Sequence, residues 1–326
     1  MKLQQLRFFE AVCQHKLNVT AAAKALFTSQ PGVSRQVRLL EEELGLSLFN
    51  RQGKNLVSLT DAGDEVLKRV KKILKEVNNI QAISQDLNAS SGGQLTIATT
   101  HTQARYVLPS VIKSFHNRFP AVNMHLHQGS SKQNLDMIHS GEAEFTISSG
   151  NIEDAKGLVV LDCFKWQRNI VIPKDHPLAK KDSISLQELS EQPLIVYVYN
   201  DQENSSLVKT FRKAGLDYNI VFTARDSDVI KTYVRSGLGI GIIASMAYDD
   251  ELDSDLVSLP TKEILPLCST WIAFNPDLYL RQYMHDFIQL FAPHVTRDQV
   301  QTAIDRQHAR VDPQKVSLPV HRMWHL

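Results

Sequence analysis

The sequence predicts a small helical head with a hairpin wing, a long connecting helix, and a larger α/β body of two lobes. Three observations carry this. Apolar residues recur at helical spacing in three short segments within the first 45 residues. A longer apolar seam then runs from Val66 to Leu87 without Gly or Pro. Beyond Gly93, strand-length apolar runs alternate with amphipathic helix-length segments.

The chain has 326 residues, enough for two or three domains. Hydrophobic residues make up 43%, which supports a packed core in each and excludes general disorder. No run reaches the roughly 18 apolar residues needed to cross a bilayer. The first residues lack the apolar stretch of a secretory signal. Cys13, Cys163 and Cys268 are odd in number and scattered, which excludes a disulfide framework and a clustered zinc site. These features predict a cytoplasmic protein. The net charge of +1 hides an asymmetry: residues 1–60 carry eight Lys/Arg against four acids, residues 61–89 five of each, and the rest a net −3. A basic head on a mildly acidic body points to a polyanionic partner.

In the head, Leu3, Leu6, Phe9 and Cys13 predict a first helix, with Asn18 capping a second through Val19, Ala22, Ala23 and Leu26. Ser29 can cap a third helix, with Pro31 in its first turn and Gly45 as its stop. Val33, Val37, Leu40 and Leu44 form its buried face, so Arg35 and Arg38 face outward. Two helices joined by a tight turn, the second with a basic outer face, make a helix-turn-helix. Its second helix would enter a DNA major groove N-terminus first, bringing Ser29, Gln30, Pro31, Ser34 and Arg35 to the bases and backbone. A hairpin over residues 48–57, turning at Gly53, would offer Arg51 and Lys54 to phosphates. The alternative is a helical bundle with a solvated basic face.

The segment 61–89 reads as one helix, with Val66, Val70, Ile73, Val77, Ile80 and Leu87 on a heptad seam. It predicts a dimer through paired helices; the alternative is packing against its own domain. Ser90, Ser91, Gly92 and Gly93 form a hinge.

Residues 90–300 predict two α/β lobes, the first from about 90–162 and 269–295, the second from about 163–268, with a cleft between them. Ligands in such sheets bind beyond the strand carboxyl ends. Thr99, Thr100, His101, Thr102 and Gln103 follow the first strand and offer hydroxyls and an amide to an anion, or serve as simple helix caps. Ser148 and Ser149 end another strand and would face this site across the cleft; Thr223 ends a third. Gly237, Gly239 and Gly241 lie between helix and strand, the reverse of a nucleotide loop, and read as a helix stop and a close-packed strand. His125 and His127 share a strand face with no third ligand in view, so no metal is expected. No nucleophile elbow or paired-acid motif occurs, so the chain is not expected to be an enzyme. Residues 301–326 read as a mobile tail.

Thr28 to Val37, Leu39 to Gly45, Leu48 to Arg51 and Leu59 to Gly63, linked in this order, resemble the winged helix-turn-helix of the LysR-type transcriptional regulators. Met1 to Arg7, Thr99 to Tyr106, Asp226 to Arg235 and Asp286 to His294 resemble the sulfur-assimilation regulators of that family. The resemblance implies a winged helix-turn-helix, a linker helix, and an effector domain similar to periplasmic binding proteins. It implies a homotetramer acting on promoter DNA with RNA polymerase, no tightly bound cofactor, and an acetylserine or sulfate-like anion as effector. By position it implies that Thr100, Thr102, Gln103 and Ser149 line the anion pocket, with Trp166 near it and Gln202 contacting from the second lobe. One turn departs: where those regulators carry Thr-Gly-Arg-Ser, this chain runs from Asn200 through Asp201, Gln202 and Glu203 to Asn204 and Ser205. Two carboxylates replace a basic turn there, which would disfavour an anion if they faced the cleft.

Overall fold

The computed structural model describes residues 1–53, 55–87, 92–149, 155–201, 203, 205–261 and 264–305. The chain divides into two compact units, Met1–Ser90 and Ser91–Leu326.

In the first unit, α1 (Leu3–Gln14), α2 (Val19–Ala25) and α3 (Gln30–Leu44) precede a hairpin of β1 (Phe49–Gln52) and β2 (Asn55–Leu59), then α4 (Asp61–Leu87). The caps follow local chemistry. Asn18 accepts from the Ala21 amide at 2.9 Å, Ser29 from the Gly32 amide at 3.3 Å, and Gly45 ends α3 at φ 65°. Phe9, Val12, Ala22, Val33, Val37 and Leu40 interlock as the core. Gly63 is required where α4 crosses the wing: a Cβ there would sit 2.1 Å from the Leu48 carbonyl oxygen.

The α4 seam divides in two. Val70 is 2% exposed and joins the head core with Leu74, Val66 and Leu67, because α1 packs along the N-terminal half of α4. Ile73, Ile80 and Ile83 remain exposed, Ile80 at 65%. Val70 therefore belongs to its own domain's core rather than to a seam between chains. The Leu87 side chain lies outside the described residues.

In the second unit, β3 (Gly93–Thr99), α5 (His101–Tyr106), α6 (Leu108–Arg118), β4 (Val122–Gln128), α7 (Ser131–Ser140), β5 (Phe145–Ser149) and β6 (Val159–Trp166) build the first lobe. The second follows with β7 (Arg168–Pro173), α8 (Leu186–Ser190), β8 (Pro193–Tyr197), α9 (Ser206–Ala214), β9 (Asn219–Ala224), α10 (Ser227–Arg235), β10 (Ile240–Ala244) and β11 (Leu256–Pro260). Then β12 (Cys268–Phe274), α11 (Gln282–Phe291) and α12 (Arg297–Asp305) return to the first. The two sheets have orders β4-β3-β5-β12-β6 and β11-β7-β10-β8-β9. β3, β4 and β5 run parallel, as do β8, β9 and β10, so each lobe presents strand carboxyl ends and helix N-termini at one edge.

Several sequence expectations shift here. The chain leaves the first sheet after Trp166, not near Asp162, because β6 stays paired with β12 through Trp166 opposite Cys268. Trp166 thus belongs to the first lobe. A separate short helix, α5, precedes α6, since Pro109 supplies no amide and the backbone breaks at Val107. Ser149 lies in β5, beside β3 in the same sheet, rather than across the cleft. Residues 301–305, expected in a tail, belong instead to α12, which packs Val300 and Ala303 into the core. Residues 306–326 lie outside the described residues.

Lobe two is braced by a buried ion network. Lys231 Nζ meets Asp253 at 2.7 Å, and Arg235 meets Asp253 at 2.8 Å and Asp255 at 2.7 Å. Burial alone would push Asp253 up; the Lys231 and Arg235 hydrogen bonds outweigh it and hold the carboxyl below its ordinary value.

Two outcomes are expected. Val70→Asp should lose several kcal/mol in urea denaturation of the full chain by burying an unpaired charge. Asp253→Asn should cost about 3 kcal/mol at neutral pH by removing the nearer carboxylate from buried Lys231, which then keeps only Asp228 at 3.4 Å. Because the folded carboxyl is depressed, wild type holds this contribution above the ordinary aspartate value of 3.8 and loses it as pH falls through the lower folded value. The gap between the two proteins should therefore close in acid denaturation series below about pH 4.

Candidate functional site

The head presents one concave strip. Pro31, Ser34, Arg35, Arg38 and Arg51 line a shallow groove with Leu39 and Glu42. Gln30 and Ser34 are exposed one turn apart on α3, joined by a 3.4 Å contact from Nε2 to Oγ. Arg35 is exposed and has no carboxylate partner among the described residues. Arg38 pairs with Glu42 at 3.1 Å along its own helix. Arg51 differs from its expected place at a hairpin tip. It lies inside β1 and meets Glu41 at 2.5 Å, while the other oxygen of Glu41 accepts from the Leu48 amide at 2.9 Å. Arg51 therefore helps to fasten the wing to α3. Ser29 spends its hydroxyl on the cap. Lys54 lies outside the described residues. Phe27, in the turn before α3, is 99% exposed at φ 50°.

The body holds a polar cluster where β3, β5, β6 and β12 end at the cleft. Gln103 is 1% exposed and donates through Nε2 to Thr270 Oγ1 at 2.9 Å and Ser149 Oγ at 3.3 Å. Trp166 Nε1 donates to the same Thr270 oxygen at 3.0 Å. A hydroxyl has one proton and two lone pairs. Thr270 accepts twice, so its proton goes to Ser149 Oγ, 2.8 Å away. Ser149 in turn accepts from Gln103 and Thr270, which leaves its own proton free, with no acceptor among the described residues. The network runs one way and ends in a donor at the half-buried Ser149.

Thr100 stands beside it at the N-cap position of α5 but makes no side-chain cap bond, so its hydroxyl is not consumed by the helix. Thr102 is buried and reaches Tyr197 of the second lobe. Tyr197 also meets Ser227 at 2.6 Å and accepts from the Ala244 amide at 3.1 Å. Past Thr102, α5 closes against α10. Arg105 Nε meets Asp228 at 2.7 Å and the Tyr106 hydroxyl donates to Asp228 at 2.9 Å. Burial first, then Asp228, raises the Tyr106 phenol above its ordinary value.

The structure thus brings Gln103, Ser149 and Trp166 into one cluster, with Thr100 and Thr102 adjoining. Thr223 is half-buried in β9, the edge strand, and makes no bond to that cluster. Gln202 lies outside the described residues. Glu203 is 90% exposed, 3.9 Å from Arg212. Sequence reasoning missed Thr270, Tyr197 and the Asp228 clasp. Thr270 lies 167 residues from Gln103, and no local pattern distinguishes it from any other strand threonine. His125 and His127 are both exposed, and no cluster of three potential metal ligands occurs among the described residues.

A helix-turn-helix with an exposed basic outer face, joined to a two-lobed binding domain, defines a DNA-binding protein that senses a small molecule. The chain belongs to the LysR family of bacterial transcriptional regulators. The model for the bacterial regulatory helix-turn-helix protein of the lysR family matches residues 3–64, and that for the LysR substrate binding domain matches residues 88–296.

Among relatives, the chain is 45% identical over 303 residues to the HTH-type transcriptional regulator CysB of Haemophilus influenzae, covering 93% of this chain and 94% of that one. It is 37% identical over 290 residues to the regulator cbl of Escherichia coli K12, covering 89% and 92%. The crystal structure of the cofactor-binding domain of the Cbl transcriptional regulator superposes with TM-score 0.62 at 35% identity, covering 65% of this chain and 93% of that one. The resemblance to the sulfur-assimilation regulators is borne out along nearly the whole chain. The protein is a DNA-binding transcription regulator and not an enzyme, and its body is an effector-binding domain. No helix among the described residues is long and apolar enough to cross a membrane.

Thr270→Val should strand the buried Trp166 Nε1, at about 1–3 kcal/mol, and leave Gln103 Nε2 only its 3.3 Å bond to Ser149. Thermal denaturation should record that loss, and tryptophan fluorescence should shift as the Trp166 indole loses its acceptor.

Proposed function

We propose that this regulator controls cysteine-biosynthesis or sulfur-source genes in the cytoplasm, gated by a small anion in the cleft of its body. The observation that carries the reading is the direction of the cleft network. Its protons all run toward Ser149, so it offers a ligand a donor, and the unused Thr100 hydroxyl adds another. Both partners are neutral, and a ligand rich in acceptor oxygens suits them, as acetylserine or a sulfate-like oxyanion would. Neutral donors hold an anion without a fixed counter-charge, which keeps release easy in a sensor.

In this reading Gln30, Ser34 and Arg35 read bases in the major groove, while Ser29, Pro31, Arg38, Arg51 and Lys54 set register on the backbone. Two heads are joined through the exposed Ile73, Ile80 and Ile83 of α4, and the dimers pair into a tetramer that engages RNA polymerase at the promoter. Pairing matters because two half-sites multiply a weak single-site affinity.

Electrophoretic titration of operator DNA tests the head. Arg35→Ala should cost about 1–3 kcal/mol on specific sites and little on random DNA; unchanged operator affinity would remove α3 as the reading helix. Sedimentation of Ile80→Asp tests assembly: the protein should dissociate at micromolar concentration, and a persistent oligomer would place the interface elsewhere.

A further inference from the structure

Arg168 opens β7 and is 2% exposed. Its guanidinium stays charged at any physiological pH, so this is a buried cation. Nη2 donates to the Ser206 hydroxyl at 2.9 Å and to the Pro266 carbonyl at 3.1 Å. Nε is buried and meets no acceptor among the described residues. No carboxylate pairs with Arg168 among the described residues. Lys231, buried in the same lobe, shows the usual solution: it is neutralised by Asp253 at 2.7 Å.

The placement of Arg168 gives its missing partner a meaning. β7 runs antiparallel to β10, with Arg168 opposite Ala244, the last residue of β10. β10 is parallel to β8, so Arg168 stands at the carboxyl ends of both strands. That is the edge where ligands bind in sheets of this kind. Ser206, the partner of Arg168, is the first residue of the nine-residue helix α9. A helix N-terminus carries a fractional positive charge. A buried cation and a positive helix end thus meet at one point, each making the other more costly, and a single anion would relieve both.

The cleft cluster lies close by. Cys268 is within electrostatic reach of Arg168, and Thr270, two residues on, shares its face of β12. Two residues along a strand span about 7 Å. Cys268, beside Arg168, thus stands about 7 Å along β12 from Thr270, the neighbour of Ser149, a spacing that a short organic acid bridges and a bare tetrahedral oxyanion does not.

We propose that Arg168 and the first turn of α9 form a seat for the carboxylate of a small organic effector, whose far end meets Ser149 and Thr100. The inference rests on the effector reading above and narrows its ligand to an extended carboxylate with a second acceptor group. The seat supplies in the second lobe the positive charge that the turn at 200–205 lacks.

Calorimetric titration of the full-length protein with N-acetyl-L-serine and with its neutral carboxamide tests the seat. Wild type should prefer the acid at least about tenfold, the range of a hydrogen bond to a charged group. Arg168→Gln should lose that preference while still binding the amide. Arg168→Lys keeps the charge and should retain part of the preference; if it behaves as Gln does, the role is packing and the seat is wrong. An equal preference in wild type and Arg168→Gln also overturns it. Thr100→Val should weaken acid and amide alike. If it weakens neither while Arg168→Gln acts as stated, the first-lobe pocket is wrong and the seat stands. If wild type binds neither compound at 10 mM, on the order of a hundred times a weak dissociation constant, both readings fall.

Discussion

The Thr270 hydroxyl has one proton and two lone pairs, and all three are engaged. Trp166 and Gln103 donate to it, and it donates to Ser149. Four segments of the chain meet in that arrangement: the helix α5, the end of β5, the end of β6 and the start of the returning β12. β6 leaves for the second lobe and β12 comes back from it, so the oxygen that polarises the cleft also pins the two crossing strands together. Binding geometry and hinge geometry therefore share one atom. A buried network of this kind, with Gln103 Oε1 left unpaired, is sensitive to any ligand that changes the partners available to Ser149 and Gln103.

The short helix α5 extends the same coupling across the cleft. It carries Gln103 in the cluster, Thr102 against Tyr197, and Arg105 and Tyr106 against Asp228. Six residues thus hold pocket contacts at one end and an ion pair between lobes at the other. A shift of α5 by a fraction of an ångström changes both. Close-packed interiors transmit such shifts as rigid movements rather than absorbing them.

What the sequence disclosed, and what it did not, follows from the range of the interactions. The head is built from local signals: Asn18 and Ser29 at caps, Pro31 in a first turn, Gly45 at a stop, and apolar residues three and four apart. Each acts within a few residues, so each could be read in place. Gln103 and Ser149 were reachable because they sit at strand ends, where parallel sheets put ligands. Thr270 was not, because its role comes from pairing across 121 and 167 residues. Val70 misled for a related reason. Its heptad spacing is as good as that of Ile80, but periodicity shows only that a face is apolar, and α1 covers one half of that face. β11 was missed because Leu256–Pro260 is short and ends in proline, a composition that marks an edge strand only once its neighbour is known.

The acidic turn at 200–205 and the buried Arg168 set two charges of opposite sign near one cleft, and their environments decide which governs. Glu203 is 90% exposed and stands by Arg212. Solvent around it has a high dielectric constant, and salt screens its field within about 8–10 Å. Arg168 is 2% exposed, so its charge acts through a medium that weakens it far less. Counting charges along the sequence gives the carboxylate in this turn and the guanidinium equal weight, and so suggests that the turn repels an anion. Weighting each by its surroundings reverses the balance. Glu203 contributes little at the cleft, and the buried Arg168 at the β7 edge acts on a nearby anion through a medium that weakens its charge far less.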